Sequence, residues 1–494
     1  MRRAISLLSV AGGAVALRAV FAVGFANYDT LYALVWGAQA SRGEDPQYAV
    51  AIAPTPHPLM ELVGVVAGPL GAHAATSLAV WIGYVALSAC GYVTYRLGSE
   101  WFNRPVGALA AVILLTRTPI VSYGSRAYID VPFLALMLGA MLVESRRRRA
   151  GAPVLVLLAL AGLLRPEAWV FAGLYWLYLA AGGRVEADPG SLRVRRVMVG
   201  AAASERESAL GVAQLGRLAA LVVCAPLIWV LSDLAVTGNA MWSLTHTMAT
   251  AATLHRVTGI ANVPQYIPRR IGEIVRPVEL AGAALGGVLS LLWLRARALM
   301  GAAVGVVAVL VFALLATVGL PIDTRYAFLA AAILCTFCAV GAFGWMLLSR
   351  TDPVRRYWAA AGLAVLVALA ATIPAQYRSI HTQLRNLTRQ ESAQNSLLAL
   401  VRGGMISARC APVGVPNHAP IPLLALYLKV RPGRVLSAQV QQVTRGTYVE
   451  AANEEVRRDY ILDPHEPRTL EPGVPAGFRQ TAANRDWLVY ERCG

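Results

Sequence analysis

Apolar stretches long enough to form helices recur along this chain, and short arginine runs stand at every second boundary between them. No other feature limits the fold as strongly. A bilayer span needs about 20 mostly apolar residues, fewer where a helix is short or re-entrant, and clustered arginines mark cytoplasmic ends. On this rule spans are expected at 4–26, 74–95, 105–121, 131–144, 152–164, 168–181, 217–236, 279–294, 298–318, 326–348 and 357–375. The pair around Arg165 is the shortest. The cytoplasmic ends are then marked by Arg2 and Arg3, Arg96 and Arg104, Arg146 to Arg149, Arg193 to Arg196, Arg295 and Arg297, and Arg350 to Arg356. The first span resembles a signal peptide at its basic start, but its apolar run is too long and lacks a clear small-residue cleavage site.

Composition supports the membrane reading. Of 494 residues, 57% are hydrophobic and only 14% charged, with a mean hydropathy of +0.55. So little charge cannot cover a soluble domain of this size. The net charge of +17 does not imply a nucleic-acid partner. Lys429 is the only lysine, and the arginines flank apolar segments instead of forming a basic face. The expected protein is mainly α-helical and multi-pass, in a bacterial plasma membrane, with a cytoplasmic N-terminus.

The chain changes character after about residue 375. Residues 376–494 are polar and rich in turn residues; RVLSAQV and DWLVYERC read as strands and PIPLLALYLK as a helix. A small α+β domain outside the membrane is expected beyond a transmembrane unit of residues 1–375. Cys410 and Cys493 bracket it and make a disulfide in an oxidising compartment. Cys90, Cys224, Cys335 and Cys338 lie inside apolar spans, where cysteine behaves as a small hydrophobe.

With this threading the unusual polar groups collect on one side. Asp29 opens the first outer loop (27–73) and His57 lies near its end. Arg126 and Asp130 fall in the second loop, Arg165 and Glu167 in the third, and Asp323, Arg325 and Tyr326 in the fifth. The outer segment 237–277 is amphipathic and reads as lying on the membrane surface. Charges near the hydrocarbon edge are costly unless paired or solvated, so acids facing arginines point to a shared outer cavity. Arginines hold phosphate, and a carboxylate takes a proton. Each residue also has a plainer reading. Asp29 can end a helix, Asp130 can cap the next one, His57 can be a turn residue, and Arg165 and Arg325 can snorkel to the interface.

The order of these features resembles the type C glycosyltransferase (GT-C) superfamily, in the branch of protein O-mannosyltransferases and the lipid A aminoarabinose transferase. That branch places an acidic pair after the first span, an aromatic, a Gly and Pro-Tyr-like stretch, and a His-Pro-Pro-Leu-like turn. Here these stand as Asp29, Tyr32, Gly43, Pro46, Tyr48 and His57-Pro58-Leu59. Thr30 replaces the second acid, and the turn lacks its second proline. Arg126 before Asp130, the Arg165-Pro166 hairpin, Arg325-Tyr326 and Arg18 in the first helix also match. The likeness covers roughly residues 1–350.

The resemblance implies a GT-C-like fold of about 11 transmembrane helices. It also implies inverting transfer of a hexosyl or pentosyl group from a polyprenyl-phosphate donor to an acceptor hydroxyl on the outer face. Asp29 and Asp130 would be the catalytic acids. Arg165, Arg325, Arg18 and Arg126 would bind the donor phosphate, with Tyr32, His57, Glu167 and Tyr326 around the substrate. The partners would be the lipid-linked sugar, membrane lipid and an acceptor glycan, lipid or protein. Two carboxylates with a histidine also suit a divalent metal ion, a question left open at this point. The rival reading, a polytopic transporter or lipid flippase, expects polar groups near the midplane and repeated halves. No repeat is evident.

Overall fold

The computed structural model describes residues 2–181, 212–461 and 473–493; the expected basic boundary at Arg193 to Arg196 lies outside them. Among these residues sixteen α-helices precede the sheet region. They are α1 (Arg2–Phe21), α2 (Tyr28–Ser41), α3 (Pro58–Ala67), α4 (Ala72–Trp101), α5 (Arg104–Leu115), α6 (Thr118–Ser125), α7 (Asp130–Arg146) and α8 (Ala152–Gly162). Then come α9 (Glu167–Ala181), α10 (Val212–Thr237), α11 (Trp242–Thr253), α12 (Val263–Ile274), α13 (Pro277–Trp293), α14 (Arg295–Thr317), α15 (Phe328–Phe343) and α16 (Pro353–Arg402).

Helices occupy all eleven expected segments, but not all are full spans. Among the described residues six helices are long and apolar enough to cross a membrane, and two bent pairs raise this to eight. The bends lie between α5 and α6, at 64°, and before α13, at 102°. Helices α7, α8 and α9 have 17, 11 and 15 residues, below the roughly 20 of a full span.

Helix α15 is the axis of the bundle, packed against α13, α5, α14 and α16. Its contact with α13 is backbone to backbone: a Cβ on Gly286 would strike the Phe337 carbonyl, and one on Gly341 the Gly282 carbonyl. Close approach through small residues is how helices gain packing where lipid removes the hydrophobic drive. Cys335 and Cys338 are fully buried there as packing residues. Peripheral helices expose large apolar side chains instead, such as Leu7 and Leu8 of α1.

Two expectations change. The first apolar run does not stay helical to residue 26: α1 ends at Phe21, and Ala22 has φ +54°. Residues 22–27 then run beside the second loop, with Phe25 N–H donating to the Ser125 carbonyl at 3.3 Å and Asn27 N–H to that of Arg126 at 3.0 Å. Val23 and Phe25 are apolar because they pack on Leu387 of α16. The boundary expected at 375 falls inside α16, a single helix of 50 residues. At 1.5 Å per residue it measures about 75 Å, more than twice a hydrocarbon core. Its polar C-terminal part therefore runs past the length of a single span, touches residues 23–25 through Leu387 and Glu391, and carries the sheet region.

That region holds five strands in the order β2-β1-β3-β5-β4. They are β1 (Val413–Val415), β2 (Val435–Ser437), β3 (Gly446–Ala451), β4 (Arg479–Ala483) and β5 (Trp487–Arg492). β1 pairs in parallel with β2 and β3, while β5 runs antiparallel to β3 and β4. Helix α17 (Ile421–Leu428) links β1 to β2. A disulfide joins Cys410 to Cys493, closing the region end to end. The indole N–H of buried Trp487 donates to the Ala393 carbonyl of α16 at 2.8 Å, fixing the sheet to that helix.

Candidate functional site

The first turn of α2 is built to present Asp29. Asn27 caps the helix, its Oδ1 accepting from Asp29 N–H at 2.8 Å and Thr30 N–H at 3.2 Å. Its amide reaches across to donate to the Arg126 carbonyl at 3.0 Å. Thr30, where the resembling branch has a second acid, is fully buried and donates its hydroxyl to the Ala127 carbonyl at 2.7 Å. A carboxylate at that position could not donate this bond. The departure at Thr30 thus locks the turn against the second loop and leaves Asp29 as the turn's acid.

Asp29 meets Arg325 from the far end of the sequence, with Nη1 2.7 Å from Oδ2. Both side chains keep a little surface, 14% for Asp29 and 18% for Arg325. Arg325 Nε also lies 3.6 Å from Asp323, and Arg256 reaches the same carboxylate at 3.6 Å. Burial by itself would raise the Asp29 carboxyl; the charge and hydrogen bond of Arg325, with a smaller contribution from Arg256, outweigh it and hold the group below its ordinary value. Asp29 is therefore ionised at neutral pH. Burial pushes the His57 imidazole down to about 3, against the pull of Asp29, with Arg165 and Arg325 adding to the depression. His57 is neutral. Its backbone N–H donates to Glu61 Oε1 at 3.1 Å, and Tyr48 donates to Glu61 Oε2 at 2.7 Å.

Arg126 follows α6, and its carbonyl accepts from Asn27, two residues before Asp29. Its guanidinium sits 5.3 Å from the Tyr123 ring centre and 4.9 Å from that of Tyr128. Among the described residues no carboxylate forms an ion pair with it. The Tyr123 ring also meets Phe328, three residues after Arg325, edge-on at 5.1 Å.

The other expected residues fall into different settings. Asp130 is 1% exposed and bonded to Arg165, whose Nη2 also holds Glu167 at 2.7 Å. Arg165 lies 4.3 Å from the centre of the Tyr326 ring. Arg165 is thus paired with two acids, and Asp130 is buried against it. Tyr32 is 0% exposed, meeting Tyr28 edge-on and Trp36 at a tilt, each ring centre 5.0 Å away, so it belongs to the core around α2. Arg18 stands apart over Tyr84, 5.7 Å from its ring centre.

Sequence reasoning missed a second buried ion pair, Arg117 with Glu279, with side chains 4% and 2% exposed. The signal was present, because both fall within expected spans and an intramembrane charge needs a partner. Arg256 was passed over because its outer segment read as a surface element. Among the described residues no group of three or more His, Cys, Asp or Glu side chains converges as metal ligands.

No protein-family model matches the sequence, and no curated protein matches it. Two solved structures of ArnT from Cupriavidus metallidurans are similar in fold over nearly the whole chain. The one bound to undecaprenyl phosphate gives a TM-score of 0.55 at 12% identity, covering 97% of this chain and 97% of that one. The apo form gives 0.54 at 12% identity, covering 99% and 98%. The likeness includes the sheet region as well as the helical bundle, and at this identity it speaks to architecture alone. In fold, then, this chain is similar to ArnT over nearly its whole length, a helical bundle followed by a small sheet carried on a long helix.

Proposed function

We propose that this protein is an inverting glycosyltransferase that moves a sugar from a polyprenyl-phosphate donor to an acceptor hydroxyl on the outer face of a membrane. The observation that carries this reading is the Asp29–Arg325 pair at 2.7 Å, ionised and still partly accessible. Its chemistry suits both halves of the reaction. Asp29 accepts the acceptor's hydroxyl proton as the oxygen attacks the anomeric carbon. The bond from that carbon to the phosphate oxygen breaks, and its electron pair leaves with the polyprenyl phosphate. Guanidiniums placed where this charge develops supply the largest usual stabilisation.

Arg126 is the phosphate ligand best prepared for the task, because its charge is unclaimed by any described acid and its plane is held by two tyrosines. Arg325 is the second. When donor phosphate engages Arg325, the charge that depresses Asp29 is shared, so donor binding raises the basicity of the group that must act next. Arg165 serves as a brace between Asp130 and Glu167. ArnT, bound to undecaprenyl phosphate in a similar fold, supports the donor class.

The test is release of polyprenyl phosphate by purified protein in nanodiscs, given a panel of polyprenyl-phosphate sugars. Arg126→Gln is expected to raise the donor KM about tenfold to a hundredfold, the loss of one charge-assisted contact. An unchanged KM would remove Arg126 from the donor site. Absence of release with every donor, in protein shown to bind polyprenyl phosphate, would count against transfer itself.

A further inference from the structure

The sheet region is attached at two places. One is α16, through Trp487 and through Asn484, whose amide donates to the Ser396 carbonyl at 2.9 Å. The other is the first outer loop, the segment that carries Asp29. Gly433 N–H donates to Gln47 Oε1 at 2.9 Å, Arg431 lies 3.9 Å from Glu44, and the Tyr427 hydroxyl is 3.2 Å from that of Thr76 at the start of α4. Helix α17 packs along α2. A linker-tethered accessory domain has no need of so many contacts to one loop.

The contact nearest the chemistry involves Tyr28, the residue before Asp29. Its hydroxyl donates to the Ile52 carbonyl at 3.0 Å. Its ring meets that of Tyr32 edge-on at 5.0 Å and that of His418 of the sheet region at 5.1 Å and 81°. The His418 ring is in turn fixed, with Nδ1 3.1 Å from Gln439 Oε1, and only 7% of the residue is exposed.

We infer that the sheet region is part of the active-site framework, and that His418 is a positioning residue that holds the Asp29 turn through the ring of Tyr28. This rests on the reading of Asp29 as the base. The physical reason is reach: a base must lie within hydrogen-bond distance of the proton it removes, and displacements near 1 Å cost about a hundredfold in rate. Asn27 and Thr30 fix one side of the turn against the second loop. His418 adds a ring from the sheet region to the contact that Tyr32 already makes with Tyr28.

The experiment compares full-length wild type with His418→Ala and His418→Phe in nanodiscs. Hydrogen exchange of the α2 amides is read together with kcat, donor KM and the pH profile. His418→Ala is expected to speed exchange in the first turns of α2 while leaving α15 unchanged. It should lower kcat about tenfold with donor KM unaltered, and move the acid limb of the profile to higher pH as Asp29 slips from Arg325. Phenylalanine keeps the ring edge and should restore all three. Wild-type exchange in His418→Ala would overturn the inference, and so would a loss of rate that phenylalanine fails to restore. If exchange responds as expected but no variant, wild type included, transfers sugar, the positioning contact stands and the glycosyltransferase reading fails.

Discussion

Replacing Asp29 by Asn separates chemistry from architecture, because the structure predicts very different sizes for the two effects. Removing one member of a fully buried ion pair costs about 3–5 kcal/mol by orphaning the other. Here both side chains keep some solvent contact, and Arg325 retains Asp323 at 3.6 Å. The Asn27 cap bonds to backbone N–H groups and survives the change. The folding cost should therefore be about 1–3 kcal/mol, the range of one lost charged hydrogen bond. Loss of a general base lowers rate by about 10² to 10⁴, or about 2.7–5.4 kcal/mol of transition-state stabilisation. Binding should move the other way: with Asp29 neutral, Arg325 is no longer shared, so polyprenyl phosphate binds at least as tightly as in wild type. Single-turnover release of polyprenyl phosphate, measured with binding of unglycosylated carrier, checks both parts. Release at the wild-type rate would refute the base assignment. Weakened carrier binding would refute the idea that Asp29 and phosphate compete for one guanidinium.

The pH dependence of stability should carry two opposed signatures from the first outer loop. His57, pushed down to about 3, favours folding when neutral; its contribution is complete above about 6.5 and is lost as pH falls toward 3, so His57→Asn should flatten the acid decline in melting temperature. Burial raises Glu61 to about 7, against bonds from Tyr48 and His57. The folded state then holds the extra proton, and stability falls as pH rises from about 4.5 to 7; Glu61→Gln should abolish that fall, and an unchanged slope would rule Glu61 out as its source. Arg117→Gln should destabilise by about 3–5 kcal/mol because it leaves Glu279 buried and unpaired. The exposed pair Arg96–Glu100 sets the contrast, since Arg96→Gln should cost no more than about 1 kcal/mol in the same denaturation assay.

The helical segments were legible because lipid imposes a length and a charge rule that single residues obey independently of their partners. Asp29, Arg325 and Arg126 could be expected on one side for the same reason, since sidedness follows from counting spans, and the structure pairs the first two. Pairing was not legible. Whether an arginine binds phosphate depends on which acids lie within about 4 Å of it, and Asp130 and Glu167 reach Arg165 from α7 and α9. Nothing in Leu-Leu-Arg-Pro-Glu distinguishes that brace from an open cation. Tyr32 shows the complementary failure: a motif position fixes where a residue stands on α2, but burial on that helix is set by Trp36 and Tyr48 packing beside it.

The same distinction explains why the acid must come from one end of the chain and its arginine from the other. Asp29 and Arg325 are 296 residues apart, and neither is buried comfortably alone. A carboxylate in that turn without Arg325 would be pushed toward its neutral form by burial, and a neutral acid cannot take a proton. Arg325 without Asp29 would lean on Asp323 alone. The pair stays ionised in this partly buried setting because packing of α15, the first loop and the second loop brings the two charges together, and Thr30 and Asn27 hold that packing through bonds to Ala127 and Arg126. The fold that buries the acid also supplies the cation that keeps it charged. Loosening the Thr30 latch, by Thr30→Val, should therefore lower rate without touching any charged group, and do so with the acid limb of the pH profile moved upward. A rate loss with an unmoved acid limb would place the latch outside the control of Asp29.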